Sequence, residues 1–418
     1  MISPIQPSLL RHRQYIYYWS TRVSTALAYQ MLFVAVGWQV YELTNSPLDL
    51  GLIGLVLFLP SVPGTLLVGH VSDHYDRRWV VRAAQVGKAI CAAALAIGSF
   101  TDSLTVNVIF SATLLMGFCR AFDNPTLHTL VPGIVPKEML SRATATGAGA
   151  NQVATIAGPA FGGFIYGIFG PEAVYGICFG AFVIAGVLVG FLRLNFPPHT
   201  KKPMTLATVF AGFIYLRANR IILGAILLDL CVIMLGGVLA MLPIFARDIL
   251  HTGPEGLGIL RAAPAAGALI ATILLTHATL TRNSGKFVVC ALCIYGFSVL
   301  VFGLSSWLPL SVAALMVYGA MDIVNGVIRQ SMIQARTPNE TLGRVMSVSN
   351  MLTSSANTLG QFESGVMAAI FGVVPSVLIG GAAAVAVAVL WIKIFPELWR
   401  VQSVVPDEEE AAARAAIP

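Results

Sequence analysis

Val135-Pro-Lys-Glu-Met-Leu-Ser-Arg142 and Thr337-Pro-Asn-Glu-Thr-Leu-Gly-Arg344 carry proline, glutamate, leucine and arginine in the same four places, and each opens a long apolar stretch rich in small residues. They lie 202 residues apart. The same offset carries Arg120 onto Asp322, Gly158 onto Gly360, Gly163 onto Gly365 and Gly170 onto Gly372. Both copies close on a Phe-Pro pair, Phe196-Pro197 and Phe395-Pro396, the second arriving three residues early. An internal duplication of apolar helices is the plainest cause.

Composition places those helices in a bilayer. Of 418 residues, 57% are hydrophobic and only 11% charged, and the mean hydropathy is +0.81, which leaves too little polar surface to coat a water-soluble globule of this length. A spanning helix needs roughly 20 mainly apolar residues. Twelve stretches qualify: Tyr15 to Val40, Leu52 to Val71, Val80 to Phe100, Val106 to Leu130, Ala143 to Phe169, Val174 to Leu192, Ile221 to Phe245, Leu257 to Thr276, Phe287 to Trp307, Leu310 to Gln330, Val345 to Phe371 and Val374 to Ile394. The expected architecture is therefore all-α and integral to the membrane, with twelve transmembrane helices in two pseudo-symmetric six-helix bundles, 1–197 and 220–397. Between them, 198–219 reads as a cytoplasmic linker in which Leu206, Val209, Phe210 and Phe213 mark an amphipathic helix on the inner membrane face. Residues 398–418 form a polar cytoplasmic tail. Parallel repeats of this kind are a plan of secondary transporters, with the substrate site near the midplane between the repeats.

Cytoplasmic loops retain Lys and Arg. Placing the N-terminus inside puts 19 of the 25 basic residues at or near cytoplasmic ends, leaves Arg247 and Arg261 outside, and sets Arg22, Lys88, Arg120 and Arg329 at membrane depth. Both termini are then cytoplasmic. The basic balance records topology; a nucleic-acid partner would require those charges on one soluble face. The first apolar stretch is too long for a signal-peptide core and reads as a retained first helix. All six cysteines fall inside expected spans, and Cys290 and Cys293, though spaced like metal ligands, have no His or second Cys pair beside them, so neither metal nor cofactor is expected.

Two motifs narrow the class. Gly69-His-Val-Ser-Asp73-His-Tyr-Asp76-Arg77-Arg78 resembles the G-x-x-x-D-(R/K)-x-G-(R/K)-(R/K) loop signature of the major facilitator superfamily, with Gly69, Asp73, Arg77 and Arg78 on pattern and His74 and Asp76 off it. The resemblance implies a cytoplasmic latch; the competing reading is a basic loop that only sets topology. On the fifth span, Ala154-Thr-Ile-Ala-Gly158-Pro159-Ala-Phe-Gly162-Gly163 is similar to the antiporter signature of the same superfamily, with Ala154 in place of its first glycine. Small residues permit close helix approach, and Pro159 removes a backbone hydrogen bond. Plain helix packing competes with the functional reading here too. Trp38-Gln-Val-Tyr-Glu-Leu-Thr-Asn-Ser-Pro47, Gly117-Phe-Cys-Arg-Ala-Phe-Asp-Asn-Pro125 and Gly343-Arg-Val extend the resemblance over nearly the whole chain, toward the bacterial branch that contains the enterobactin exporter and drug:proton antiporters. That branch implies an inner-membrane carrier and no enzyme activity.

Charges at membrane depth mark the candidate site, since each costs about 2.5 to 3.5 kcal/mol even on the lenient insertion scale. In the superfamily the first, fourth, seventh and tenth helices line the cavity. Six of the eight buried charges fall on them: Arg22, Arg120, Asp123, Asp229, Asp322 and Arg329; Lys88 and Glu363 lie elsewhere. Arg120 and Asp123 share a helical face, as do Asp322 and Arg329, so each acid is expected beside a cation. Asp229 and Glu363 have no basic residue on their own faces and are the leading proton carriers, with Asp322 and Asp123 behind them. Fixed bridges Asp229 to Arg329 and Arg22 to Asp123 are the structural alternative. Gln30, Asn357 and Gln361 are expected to add uncharged contacts to the cavity. The resulting expectation is a monomeric proton-coupled exporter of a small amphipathic molecule such as a drug or siderophore. Proton-linked uptake and a non-transporting receptor are the alternatives.

Overall fold

The computed structural model describes residues 9, 12–60, 64, 71, 74–193, 216–217, 219–277 and 283–403. The amphipathic linker segment, residues 404–418 of the tail, Gly69 and Asp73 lie outside them. The described chain is a succession of helices: α1 (Arg13–Thr44), α2 (Pro47–Phe58), α3 (Arg77–Phe100), α4 (Val106–Leu130), α5 (Leu140–Gly190), α6 (Arg220–Leu235), α7 (Pro254–His277), α8 (Ser284–Leu304), α9 (Leu308–Arg336), α10 (Asn339–Phe371) and α11 (Val373–Ile394). Local chemistry sets several ends. Asn45 takes the left-handed conformation at φ 49° and its N–H closes on the Tyr41 carbonyl, ending α1. Asp76 accepts from the Arg78 backbone N–H to open α3, and Asn219 from Ile222 to open α6.

Among the described residues, nine helical stretches are long and apolar enough to cross a membrane. α10 is not one of them, although it runs for 33 residues. Its run from Ser347 to Glu363 spends Asn350, Thr353, Ser354, Ser355, Asn357, Thr358 and Gln361 on polarity. α2 ends at Phe58, and residues 61–63 and 65–70 of the second expected span lie outside the described residues. The fifth and sixth expected spans lie in one continuous assignment, α5, which breaks at Gly170 with φ 82° and ψ 174°.

That break has a twin. Gly372, 202 residues on, joins α10 to α11 at φ 88° and ψ 160°, and these two are the positive-φ glycines among the described residues. The region is essentially closed to residues with a Cβ. The repeat noticed in the sequence is therefore a repeat of backbone geometry.

By contact the chain forms two compact units, Met1–Asn45 with Leu55–Pro203 and Thr252–Ala262, and Ser46–Gly54 with Met204–His251 and Ala263–Pro418. The start of α7 thus groups with the first unit and the start of α2 with the second. In the first, Tyr15, Tyr18, Val81, Leu127, Leu130, Ala143 and Val189 share a core; in the second, Ile222, Ile226, Ile333, Val345 and Val348 do. Large apolar side chains also face outward, Ile90, Ile97 and Phe100 on α3 and Phe161, Phe164 and Ile168 on α5. Such faces suit acyl chains and would be unfavourable in water.

Candidate functional site

Glycines bring the first-unit helices close. A Cβ on Gly158 would meet the Gln30 side chain at 2.6 Å, and one on Gly162 the Met31 backbone of α1 at 2.8 Å. Gly163 faces the other way: its Cβ would run into the Pro254 carbonyl and lie 2.9 Å from Gly258 Cα at the start of α7. Pro159 is buried among them. The motif thus holds α5 against α1 on one side and α7 on the other. The repeat-mate Gly365 does the same in the second unit, where a Cβ would sit 2.8 Å from Gly51 Cα and 3.1 Å from the Pro47 carbonyl.

Asp123 on α4 is 2% exposed. Its carboxylate accepts from Lys88 Nζ on α3 and, at 3.0 Å, from Gln85 Nε2. Lys88 is equally buried and lies 5.9 Å from the centre of the Phe182 ring. The expected neighbour, Arg120, instead turns to an accessible face, donates to Tyr29 Oη and stacks 4.4 Å from that ring's centre. Sharing a helical face set their spacing, but Lys88 reaches Asp123 from the adjacent helix. Arg22 does not reach Asp123 either. It donates to Tyr18 Oη at 2.9 Å and lies 3.4 Å from His128 Nδ1. Gln30 Nε2 donates to Thr155 Oγ1 at 3.2 Å.

The second unit has a matching buried cluster with different bookkeeping. Asp229 on α6 is 1% exposed and takes Arg329 Nη2 of α9 at 3.2 Å, Asn325 Nδ2 at 2.5 Å and Thr353 Oγ1 of α10 at 3.3 Å. Arg329 Nη1 also donates to Ser349 at 2.9 Å, while its Nε and the Asn325 Oδ1 find no hydrogen-bond partner among the described residues. Asp229, unaccompanied on its own helix, acquires its cation from α9, information that one helix's periodicity does not hold. Asp322 lies on the same face as Arg329, two turns or about 10 Å earlier. Its side chain is accessible, in the electrostatic reach of Asp229 and Arg329, and makes no hydrogen bond or ion pair among the described residues. Glu363 is half-buried and likewise without one. Asn357 is exposed and its Nδ2 donates to the Thr353 carbonyl; Gln361 packs at the place where a Cβ on Gly54 would stand, 3.3 Å away.

At the described end of the loop motif, Arg78 forks onto Asp76 with Nε at 3.0 and 3.1 Å from the two carboxylate oxygens, and Nη1 donates to the Leu192 carbonyl at 3.1 Å. Arg77 donates to the Thr129 carbonyl at 3.4 Å. The off-pattern residue Asp76 therefore has its own role: helix cap and arginine anchor. The Arg78 side-chain bond leads in holding its carboxyl below the usual range.

These features, charged clusters held inside long apolar helices on a duplicated backbone, define a multi-pass membrane carrier. The fold is that of solved transporters: a bacterial homologue of the human lysosomal transporter Spinster, with a TM-score of 0.69 at 13% identity over 93% of this chain and 96% of that one, and a bacterial homologue of the iron transporter ferroportin, with a TM-score of 0.67 at 15% identity over 94% and 100%. Residues 2–412 match the family described as Transmembrane secretion effector, and the chain belongs to it, within the major facilitator superfamily. Curated relatives include macrolide efflux protein A of Streptococcus pyogenes, 23% identical over 89% of this chain and 93% of its own, and the enterobactin exporter EntS of Shigella boydii serotype 18 (strain CDC 3083-94 / BS512), 25% identical over 90% of each. The protein is accordingly a transporter and not an enzyme.

Proposed function

We propose that this protein is a proton-coupled exporter of a small amphipathic organic molecule, residing in the bacterial inner membrane with both termini cytoplasmic. Twelve crossings arranged as two six-helix bundles, 1–197 and 220–397, rock by alternating access about a site near the midplane. The full-length match to relatives named as exporters supports outward transport.

One observation carries the coupling: a single guanidinium, Arg329, serves two carboxylates. Asp229 holds it, its Nε is unsatisfied, and Asp322 waits unpaired on the same face. Asp229 and Arg329 are buried, the three groups leave one negative charge uncompensated, and one proton neutralises it. Protonating Asp229 frees Arg329 to turn toward Asp322, which couples proton arrival to a rearrangement between α6 and α9. Glu363 on α10 is a second carrier, and Asp123, already neutralised by Lys88, is the least available of the four. Moving one charge through 100 mV supplies about 2.3 kcal/mol, enough to support an outward gradient.

Proteoliposomes carrying a trapped pH indicator test this. Addition of a macrolide or catecholate compound under an imposed pH gradient is expected to release protons in the direction opposite to cargo movement. Flow of both in the same direction would make the protein an importer. Unchanged coupling in both Asp229→Asn and Glu363→Gln would remove these residues from the proton path.

A further inference from the structure

The cations of the first unit do not all have acids. Arg120 and Arg261 make no ion pair among the described residues, and the Cζ of each sits over an aromatic ring instead. Arg120 Cζ is 4.4 Å from the centre of Tyr29 and Arg261 Cζ is 4.0 Å from the centre of Phe33. Tyr29 and Phe33, one turn apart on α1, are stacked with centroids 6.3 Å apart and planes 8° from parallel. The contacts form a column, Arg120 to Tyr29 to Phe33 to Arg261, contained in one compact unit because the start of α7 belongs to it. Counting inward from the ends of α7, α1 and α4 that the basic-residue bias assigns to the outside, Arg261 lies about 10 Å deep, Phe33 about 16 Å, and Tyr29 and Arg120 about 21 Å. The column thus runs from the outer leaflet to the middle of a hydrocarbon layer about 30 Å thick.

We propose that this column is the recognition element for a negatively charged, aromatic cargo, an inference that rests on the exporter reading and specifies its substrate class. The rings hold each guanidinium in place; Arg120 Nη1 donates to Tyr29 Oη, and its remaining N–H groups can meet carboxylate, sulfonate or catecholate oxygens in pairs. A flat anion also finds ring surface beside the charge. Two uncompensated guanidinium groups at this depth are costly, and Lys88 and Arg329 show that this fold places an acid beside a buried cation. Side-chain exposure agrees: Arg120 is accessible and Arg261 partly so, whereas those paired cations are buried.

The test is equilibrium binding to the full-length protein in nanodiscs, without any gradient, using benzenesulfonate, neutral benzenesulfonamide and cationic phenyltrimethylammonium as matched probes. Benzenesulfonate is expected to bind saturably, and the other two at least about tenfold more weakly, the discrimination expected of charge-assisted hydrogen bonds. Arg120→Gln and Arg261→Gln should each cost about tenfold for the anion alone, while Arg261→Lys, which keeps charge but loses the plane, should fall between. Absent benzenesulfonate binding, equal or tighter binding of the cation, or wild-type affinity in both Gln variants would overturn the proposal. Thermal unfolding of each variant controls for folding, and the selectivity of the unaltered protein needs no variant. Because binding is read without flux, loss of anion selectivity with antiport intact sinks only the cargo class. Intact selectivity with no proton-linked flux sinks only the exporter reading.

Discussion

At membrane depth, among the described residues, the first unit holds Arg22, Lys88, Arg120 and Arg261 against Asp123, whereas the second holds Asp229, Asp322 and Glu363 against Arg329. The repeat offset makes the contrast exact in position: Asp123 corresponds to Asn325, both almost fully buried at the centre of their clusters, and Arg120 corresponds to Asp322. The duplication kept a buried polar site on α4 and α9 and changed its charge. One half closes its cluster as a neutral Lys88–Asp123 pair, sets Arg120 and Arg261 over aromatic rings, and gives Arg22 the Tyr18 hydroxyl. The other leaves an excess of acid around one guanidinium. The sign of the uncompensated charge differs between the two units, which is the contrast on which the proposed proton site in the second and the proposed anion site in the first both rest.

The sharpest way to break this comparison is Lys88→Met. Removing one partner of a buried pair strands Asp123, and the expected cost is about 3–5 kcal/mol in stability, read as a lowered unfolding temperature in detergent. Lys88→Met with Asp123→Leu should recover most of it and retain proton-linked flux; loss of flux in the folded double variant would move coupling into the first unit.

Asp229→Asn should behave oppositely. Asp322 remains to balance Arg329, so the destabilisation is expected to be smaller, about 1–3 kcal/mol for the weakened hydrogen-bond set, while pH-driven flux disappears. A variant as unstable as Lys88→Met would show that the second cluster is equally a structural pair.

Gly163→Ala and Gly365→Ala probe the shared frame rather than the divergent charge. Each methyl meets backbone at the start of α7 or α2, and a similar loss of about 1–3 kcal/mol is expected in both, as for overpacking. Strongly unequal losses, measured side by side by thermal unfolding, would mean that the two halves use these contacts differently.

The smallest effect is expected at Asp76, which caps α3 and anchors Arg78. Asp76→Ala should cost under about 1 kcal/mol, because the site is more than a third exposed and screened by solvent. Its carboxyl titrates below the unfolded value, so the stabilisation is present above the ordinary carboxylate pKa and fades as pH falls through the depressed one. The gap between wild type and Asp76→Ala should therefore narrow in acid.

Much of this was legible in one dimension. Long apolar runs dictate helices in a bilayer because every backbone polar group must be satisfied within the segment, and the offset between Gly170 and Gly372 already marked two equivalent joints, later found at φ 82° and 88°. The eight charges were visible as candidates because apolar surroundings make each one expensive. Arg261 was not among them: seven residues into α7, it fell on the outer side of the basic-residue count.

Periodicity along a helix reports which residues share a face, and so the sequence alone determined the membrane class, the duplication and, Arg261 apart, the charges at membrane depth. It holds no record of which neighbouring helix supplies the partner. Only the tertiary structure decided that Lys88 answers Asp123, that Arg329 answers Asp229, and that two arginines close on stacked rings instead of acids, because ion pairing and stacking operate over a few ångströms between segments far apart in the chain.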